Sequence, residues 1–250
     1  MTDIESSAGR LAWRAKVGFA RRAVVAQLAG MPSVVRAALG GAHNRPGITV
    51  AAAPPDSRLA RQATDLAEEI YGEQLLAHCV RCWYFGDVFA QLGNLRYDPE
   101  LFYIACLLHD AGLTDRFRPP AEAACFAVHG GAAARDTLTG WGAEQRFADT
   151  VADAIAVHMD VRVPVDSGVE AHLLHAGAHL DVAGVRCGDV PREVLAEILR
   201  RCPRADFATV FLSAMRREAR ERPDSRAAVM WKQGMALPVK TNPLNRILTE

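Results

Sequence analysis

The sequence predicts an all-α protein, a helical bundle with an amphipathic helical arm before it and an extended tail after it. Three observations carry that expectation. Strand signals are scarce, since only 48–50 (ITV) and 161–165 (VRVPV) are short and β-branched, and the second holds Pro164. Apolar residues recur at helical spacing through most of the rest. Turn-forming clusters at 43–57, 92–99, 114–122, 139–142, 161–168 and 187–191 cut that pattern into helix-length pieces.

Taken in order, the N-terminal piece places Trp13, Val17, Ala20, Val24 and Leu28 at helical spacing, with Arg10, Arg14 and Arg21 elsewhere around the same helix. Arg21-Arg22 followed by AVVAQLAGM faintly resembles a twin-arginine export signal, but Arg36 interrupts the apolar part. The periodicity therefore favours an ordinary amphipathic helix and a cytoplasmic protein. The proline-rich stretch 43–57 divides an arm and linker (1–57) from one large helical domain (58–222). Within that domain, 101–108 is an uncharged apolar run that suits a helix buried on all sides. The run ends in His109 and Asp110, which are costly to bury unless something compensates their polarity. Residues 223–250 hold the proline-broken ALPVKTNPLNRILTE and read as a tail packing back over the domain.

The totals narrow the function. Half of the 250 residues are hydrophobic, enough for a sizeable core. Lys and Arg number 29 against 29 Asp and Glu, so no global charge points to nucleic acid. No apolar run reaches membrane-span length. Cys79, Cys82, Cys106, Cys125, Cys187 and Cys202 lack disulfide-scaffold spacing and read as packing thiols in a reducing compartment.

What remains is a constellation: His78, His109-Asp110, His129, His158 and Asp181, each on a different expected helix. Imidazole and carboxylate together suit zinc, iron or manganese held inside a helical bundle. Asp181 shares a helical stripe with Leu174, Gly177 and Ala178, whose small side chains leave room for an ion. His158 ends the core-facing stripe Phe147, Val151, Ala154. Arg81 falls one turn from His78 on the same face, and Gly130-Gly131 inside a helix implies close packing. His172, His175 and His179 occupy a different face from Asp181 and are expected at the surface.

Four segments carry a resemblance. HCVRCWYFG resembles H-S-x-R-x-Y-x-[FY]-[GA], and LLHDAGLTDRF resembles LLHD-[IL]-G-L-[ST]-x-x-F. ADAIAVH resembles xxAIxxH, and AGAHLDVAGVR resembles G-A-G-x-D-x-x-G. In this order, over residues 78 to about 186, they resemble the cyanamide-hydratase-like branch of the HD-domain metal-dependent hydrolases. The resemblance implies His78, His109, Asp110 and Asp181 as core ligands of a divalent ion, zinc first, with iron or manganese as alternatives. His129 and His158 are then candidates for a second ion or for substrate. Asp110, His158 and Arg81 are candidates for catalysis, His158 as a proton donor and Arg81 for substrate contact. FAVHGG departs from the branch's F-E-x-x-G-[GA], with Ala127 in place of the glutamate. The expected activity is hydration or hydrolysis of a small nitrile- or amide-like substrate, in a monomer or a homo-oligomer. The alternatives are phosphoester hydrolysis, a di-iron oxygenase needing both His129 and His158, and a non-catalytic helical module. Leu113 stands where phosphodiesterase-type HD sites have lysine, although Arg81, Arg116 or Arg118 could replace that cation.

Overall fold

A computed structural model of the chain describes residues 10–38, 47–120, 123 and 125–247, with the side chains of 27–38 outside that description. Eleven α-helices, and no strand, occur among the described residues: α1 (Trp13–Ala38), α2 (Arg58–Ile70), α3 (Glu73–Gly93), α4 (Pro99–Leu108), α5 (Phe126–Gly140), α6 (Gln145–Val157), α7 (Val169–Ala183), α8 (Arg192–Arg201), α9 (Phe207–Glu221), α10 (Arg226–Lys232) and α11 (Ala236–Lys240). No helix among them is long and apolar enough to cross a membrane.

α4 is the central helix. Asp98 caps it by accepting from the amides of Glu100 (3.0 Å) and Leu101 (3.1 Å), and Pro99 occupies the first turn. All eight residues 101–108 are buried, as an uncharged run requires, with α2, α3, α5, α6 and α7 packed around it. The helix then tightens at His109 and Asp110 into a 3-10 turn, Ala111–Leu113, closed by Leu113 N–H to the Asp110 carbonyl (2.8 Å).

Glycines set the helix-to-helix distances. A Cβ on Gly177 of α7 would lie 2.3 Å from the Cys82 carbonyl oxygen of α3. One turn along, a Cβ on Gly86 would lie 3.0 Å from the Leu173 carbonyl oxygen. The two helices therefore run antiparallel in backbone contact, and one turn in the other direction brings His78 opposite Asp181. Gly131 does the same for α5 on α6, its Cβ position being 2.6 Å from the Ala152 carbonyl oxygen. Gly112 lies against the Phe126 carbonyl, which seats the turn after α4 on the start of α5.

Two expectations, the inward face of α1 and the extended tail, need correction. The face of α1 turned inward carries Phe19 and Ala23, whereas Trp13 is 77% and Val17 50% exposed. Leu11 N–H to the Asp224 carbonyl (3.0 Å) and the Lys16–Asp224 ion pair fix that rotation. As the scarcity of strand signals implied, 48–50 and 161–165 form no strand, and the Gln91 side chain serves residue 49, accepting from Thr49 N–H (3.0 Å) and donating to its carbonyl (2.8 Å). The tail is not extended. Ser225 caps α10 by accepting from Ala228 N–H (3.1 Å), and α11 follows before Asn242 reaches back to α7.

Gly177→Ala is expected to lower stability by about 1–3 kcal/mol, the usual range for overpacking. Gly140→Ala, whose Cβ would meet nothing within 4 Å, should be neutral or stabilising by up to about 1 kcal/mol. Urea denaturation of both variants measures the contrast.

Candidate metal centre

Three imidazoles converge on one buried carboxylate. His109 and His158 each follow a helix end and satisfy it in the same way. His109 Nδ1–H donates to the Cys106 carbonyl of α4 (2.7 Å), and His158 Nδ1–H donates to the Ile155 carbonyl of α6 (2.7 Å). His78, in mid-α3, donates from Nδ1 to Asp181 Oδ2 (2.6 Å). With every Nδ1 protonated, each Nε2 is left as a lone-pair donor. His78 Nε2 and His109 Nε2 lie 3.3 Å apart, and each is 3.6 Å from Asp110 Oδ2. His158 Nε2 is 3.7 Å from Asp110 Oδ1. All four residues are at most 3% exposed.

Asp110 Oδ2 is buried without any hydrogen-bond partner. An orphaned carboxylate oxygen at the focus of three lone pairs is costly unless a cation joins them. His109, Asp110 and His158 offer ligand atoms all within 4.8 Å of one another, as do His78, Cys82 and His109. Burial pushes the His109 imidazole below its usual range, and it pushes His158 well below, helped by the neighbouring His109. Both are thereby kept neutral, the form that binds metal. Burial likewise holds the Cys82 thiol well above its usual value. The residues present fit a metal ion.

Asp181 stands behind His78 rather than among the converging nitrogens. Arg81 donates to it through Nε (2.8 Å to Oδ1) and Nη2 (2.9 Å to Oδ2), while Arg204 Nη1 reaches Oδ1 (2.5 Å) and the Asp181 carbonyl (2.6 Å). Burial alone would raise this carboxyl, but Arg204 and Arg81 hold it well below the usual carboxylate range. Arg81 itself has no exposed surface and spends its remaining donor on the Pro203 carbonyl (2.7 Å). Asn242 Nδ2 binds the Asp181 carbonyl (2.9 Å), and Asn245 Oδ1 accepts from Arg204 (3.1 Å), so the tail locks the pair in place.

His129 is half-buried on α5 and belongs to neither group of metal-capable side chains among the described residues. Its imidazole is lowered by partial burial and by Arg222. His172, His175 and His179 are half-buried rather than fully at the surface. They line a cavity of about 520 Å³ shared with His78, His109, Asp110 and His158. The segment 161–167 folds over that flank of α7 and encloses them, with His172 Nδ1–H donating to the Val163 carbonyl (2.7 Å). Their spacing was visible in the sequence; the loop that covers them was not. Arg204 carried no sequence signal at all.

No protein-family model matches the chain. Curated relatives include the cyanamide hydratases DDI2 and DDI3 of Saccharomyces cerevisiae. Each is 25% identical over 183 residues, which cover 72% of this chain and 81% of the relative.

Asp181→Asn should cost about 3–5 kcal/mol in denaturant unfolding, because it leaves two buried guanidinium groups without their counter-charge. The pH dependence has a definite sign. Burial pushes His175 down to about 4, whereas in the unfolded chain it titrates near about 6.5. As pH falls below about 6.5 the unfolded state takes up the proton first, so stability is greatest above that pH and declines towards about 4. Urea midpoints of EDTA-treated protein between pH 7.5 and 5 should fall with pH, and His175→Asn should flatten part of the slope.

Proposed function

We propose that the chain is a metal-dependent hydratase of small nitrile-like substrates, with His78, His109, Asp110 and His158 as metal ligands. The observation that carries this reading is the partnerless Asp110 Oδ2 facing three Nε2 lone pairs at the buried end of a cavity. Similarity to two cyanamide hydratases supports the reaction class. The ligand set differs from the one implied by resemblance, exchanging Asp181 for His158. Asp181 then acts through His78, fixing its tautomer and raising its basicity as a carboxylate behind a metal-bound histidine does.

Three imidazoles and one carboxylate suit zinc. When bound, a divalent ion lowers the pKa of a water at the site towards about 7 and so makes a nucleophile near neutral pH. The protein's own contributions are positional. The hydrogen bonds to Cys106, Ile155 and Asp181 hold three Nε2 atoms inward without side-chain freedom. Asp110 keeps one carboxylate oxygen able to accept a water proton and aim the remaining lone pair. Phe126, Met159 and Phe211 line the same end and exclude competing water.

Phosphoester hydrolysis has less support. Arg81 is paired with Asp181, Arg116 with Glu69 (2.6 Å) and Arg118 with Glu221 (3.1 Å), and none of the three lines the cavity. A dinuclear oxygenase would need His129, which stands outside both metal-capable groups.

Elemental analysis of purified protein should find about one equivalent of a divalent metal, zinc on this reading. Cyanamide should be converted to urea, with His109→Ala and His158→Ala each losing metal and at least a hundredfold in kcat/KM. Turnover of p-nitrophenyl phosphates without turnover of cyanamide would falsify the assignment.

A further inference from the structure

Cyanamide has three heavy atoms. At a liquid share of about 30 Å³ per water, it needs on the order of two or three water volumes. The cavity is about 520 Å³, inside the range of roughly 300–1,000 Å³ that holds drug-sized molecules. Its extra volume is mostly apolar and comes from five different parts of the chain. Val163 belongs to the loop before α7, Val182 to α7, Met230 to α10, Val239 to α11 and Ala26 to α1. The exposed lining residues Ala26, Arg162 and Asp166 mark its rim, and the buried cluster at His109 marks its floor.

Charge is kept away from the interior. Arg186 is bonded to Asp189 (2.9 Å) and stacked over the Phe89 ring (4.2 Å), while Arg162 and Asp166 bring opposite signs to the rim. Among the described lining residues, Asp110 is the one buried charge, and it faces the metal site. Such walls reward an uncharged apolar body and penalise an anion.

We infer that the preferred substrate is a nitrile with an apolar alkyl or aryl body, hydrated to the primary amide. The nitrile group sits at the His78–His109–Asp110–His158 cluster and the body fills the cavity towards α1. The inference rests on the hydratase reading and extends it to a substrate class. The reaction balances with water alone: the water oxygen bonds to the nitrile carbon as one C–N π bond breaks to give the imidic acid, and tautomerisation exchanges the second C–N π bond for C=O, leaving both water protons on nitrogen. No oxidant or reductant is required.

The test has two arms, both on the metal-loaded full chain. In the first, kcat/KM is measured for cyanamide, acetonitrile, butyronitrile, hexanenitrile and benzonitrile. Burying a methylene should raise kcat/KM about fourfold, so hexanenitrile should exceed acetonitrile by on the order of a hundredfold. Ala26→Trp and Val182→Phe, which fill the apolar volume, should lower the hexanenitrile-to-acetonitrile ratio at least tenfold. Turnover of cyanamide with no gain along the nitrile series overturns the inference and leaves the hydratase reading standing. In the second arm, calorimetry compares the binding of hexanamide and acetamide. If no nitrile or cyanamide is turned over, the hydratase reading fails, and this arm still decides the cavity. Tighter hexanamide binding, weakened by Val182→Phe, supports an apolar-bodied ligand; equal binding of the two amides overturns it.

Discussion

Asp181 has no exposed surface and accepts from an imidazole of α3, a guanidinium of α3 and a second guanidinium from the loop before α9. Taking an aspartate and two arginines out of water costs several kcal/mol per ion, and the geometry must offset it. It does so with charge-assisted bonds to both oxygens, one guanidinium donating to each of them in a fork. The result is a rigid knot whose visible product is the orientation of the His78 ring. The part of the convergence on Asp110 that comes from α3 depends on that ring presenting Nε2 rather than Nδ1.

The remaining two imidazoles are held by cheaper means. His109 and His158 each follow the last turn of a helix and donate from Nδ1 back to a carbonyl three residues earlier, the Ile155 carbonyl also accepting from His158 N–H (3.3 Å). Orienting an imidazole and bonding a helix end are thus one hydrogen bond. Placement of the helices relative to each other falls to Gly86, Gly112, Gly131 and Gly177, where a side chain would meet backbone. The tail completes the arrangement from outside, since Asn242 and Asn245 hold the Asp181 carbonyl and Arg204. This gives residues 223–247 a structural task that also supplies part of the cavity wall, through Met230 and Val239.

Polarity is distributed unevenly by this design. Arg81, Arg116 and Arg118 are drawn into ion pairs away from the cavity, whose buried floor holds the His–Asp cluster, while the α7 histidines line one wall and Arg162 and Asp166 its rim. The proposed substrate, a nitrile group at the cluster with an apolar body above it, uses that distribution. The cluster itself is shielded from bulk water, which strengthens each electrostatic interaction there.

The sequence by itself determined the helices and singled out His78, His109, Asp110, His158 and Asp181, which the fold buries as polar side chains. An uncharged run ending in His109-Asp110, helical apolar spacing and Gly130-Gly131 are local patterns, and local hydrogen bonding and helix packing act on them directly. Tertiary structure decided which residues meet. His158 and Asp181 both sit on the core side of a helix, and nothing in their spacing tells which aims at Asp110 and which at the back of His78. Arg204 enters from an irregular loop, and the α7 histidines become cavity walls because 161–167 folds over them. On α1, a more regular stripe through Trp13 and Val17 lost to the face bearing Phe19, because two bonds to Asp224 set the helix rotation. Each of these outcomes follows from contacts between residues far apart in the chain, and helical periodicity carries information only about neighbours a turn or two away.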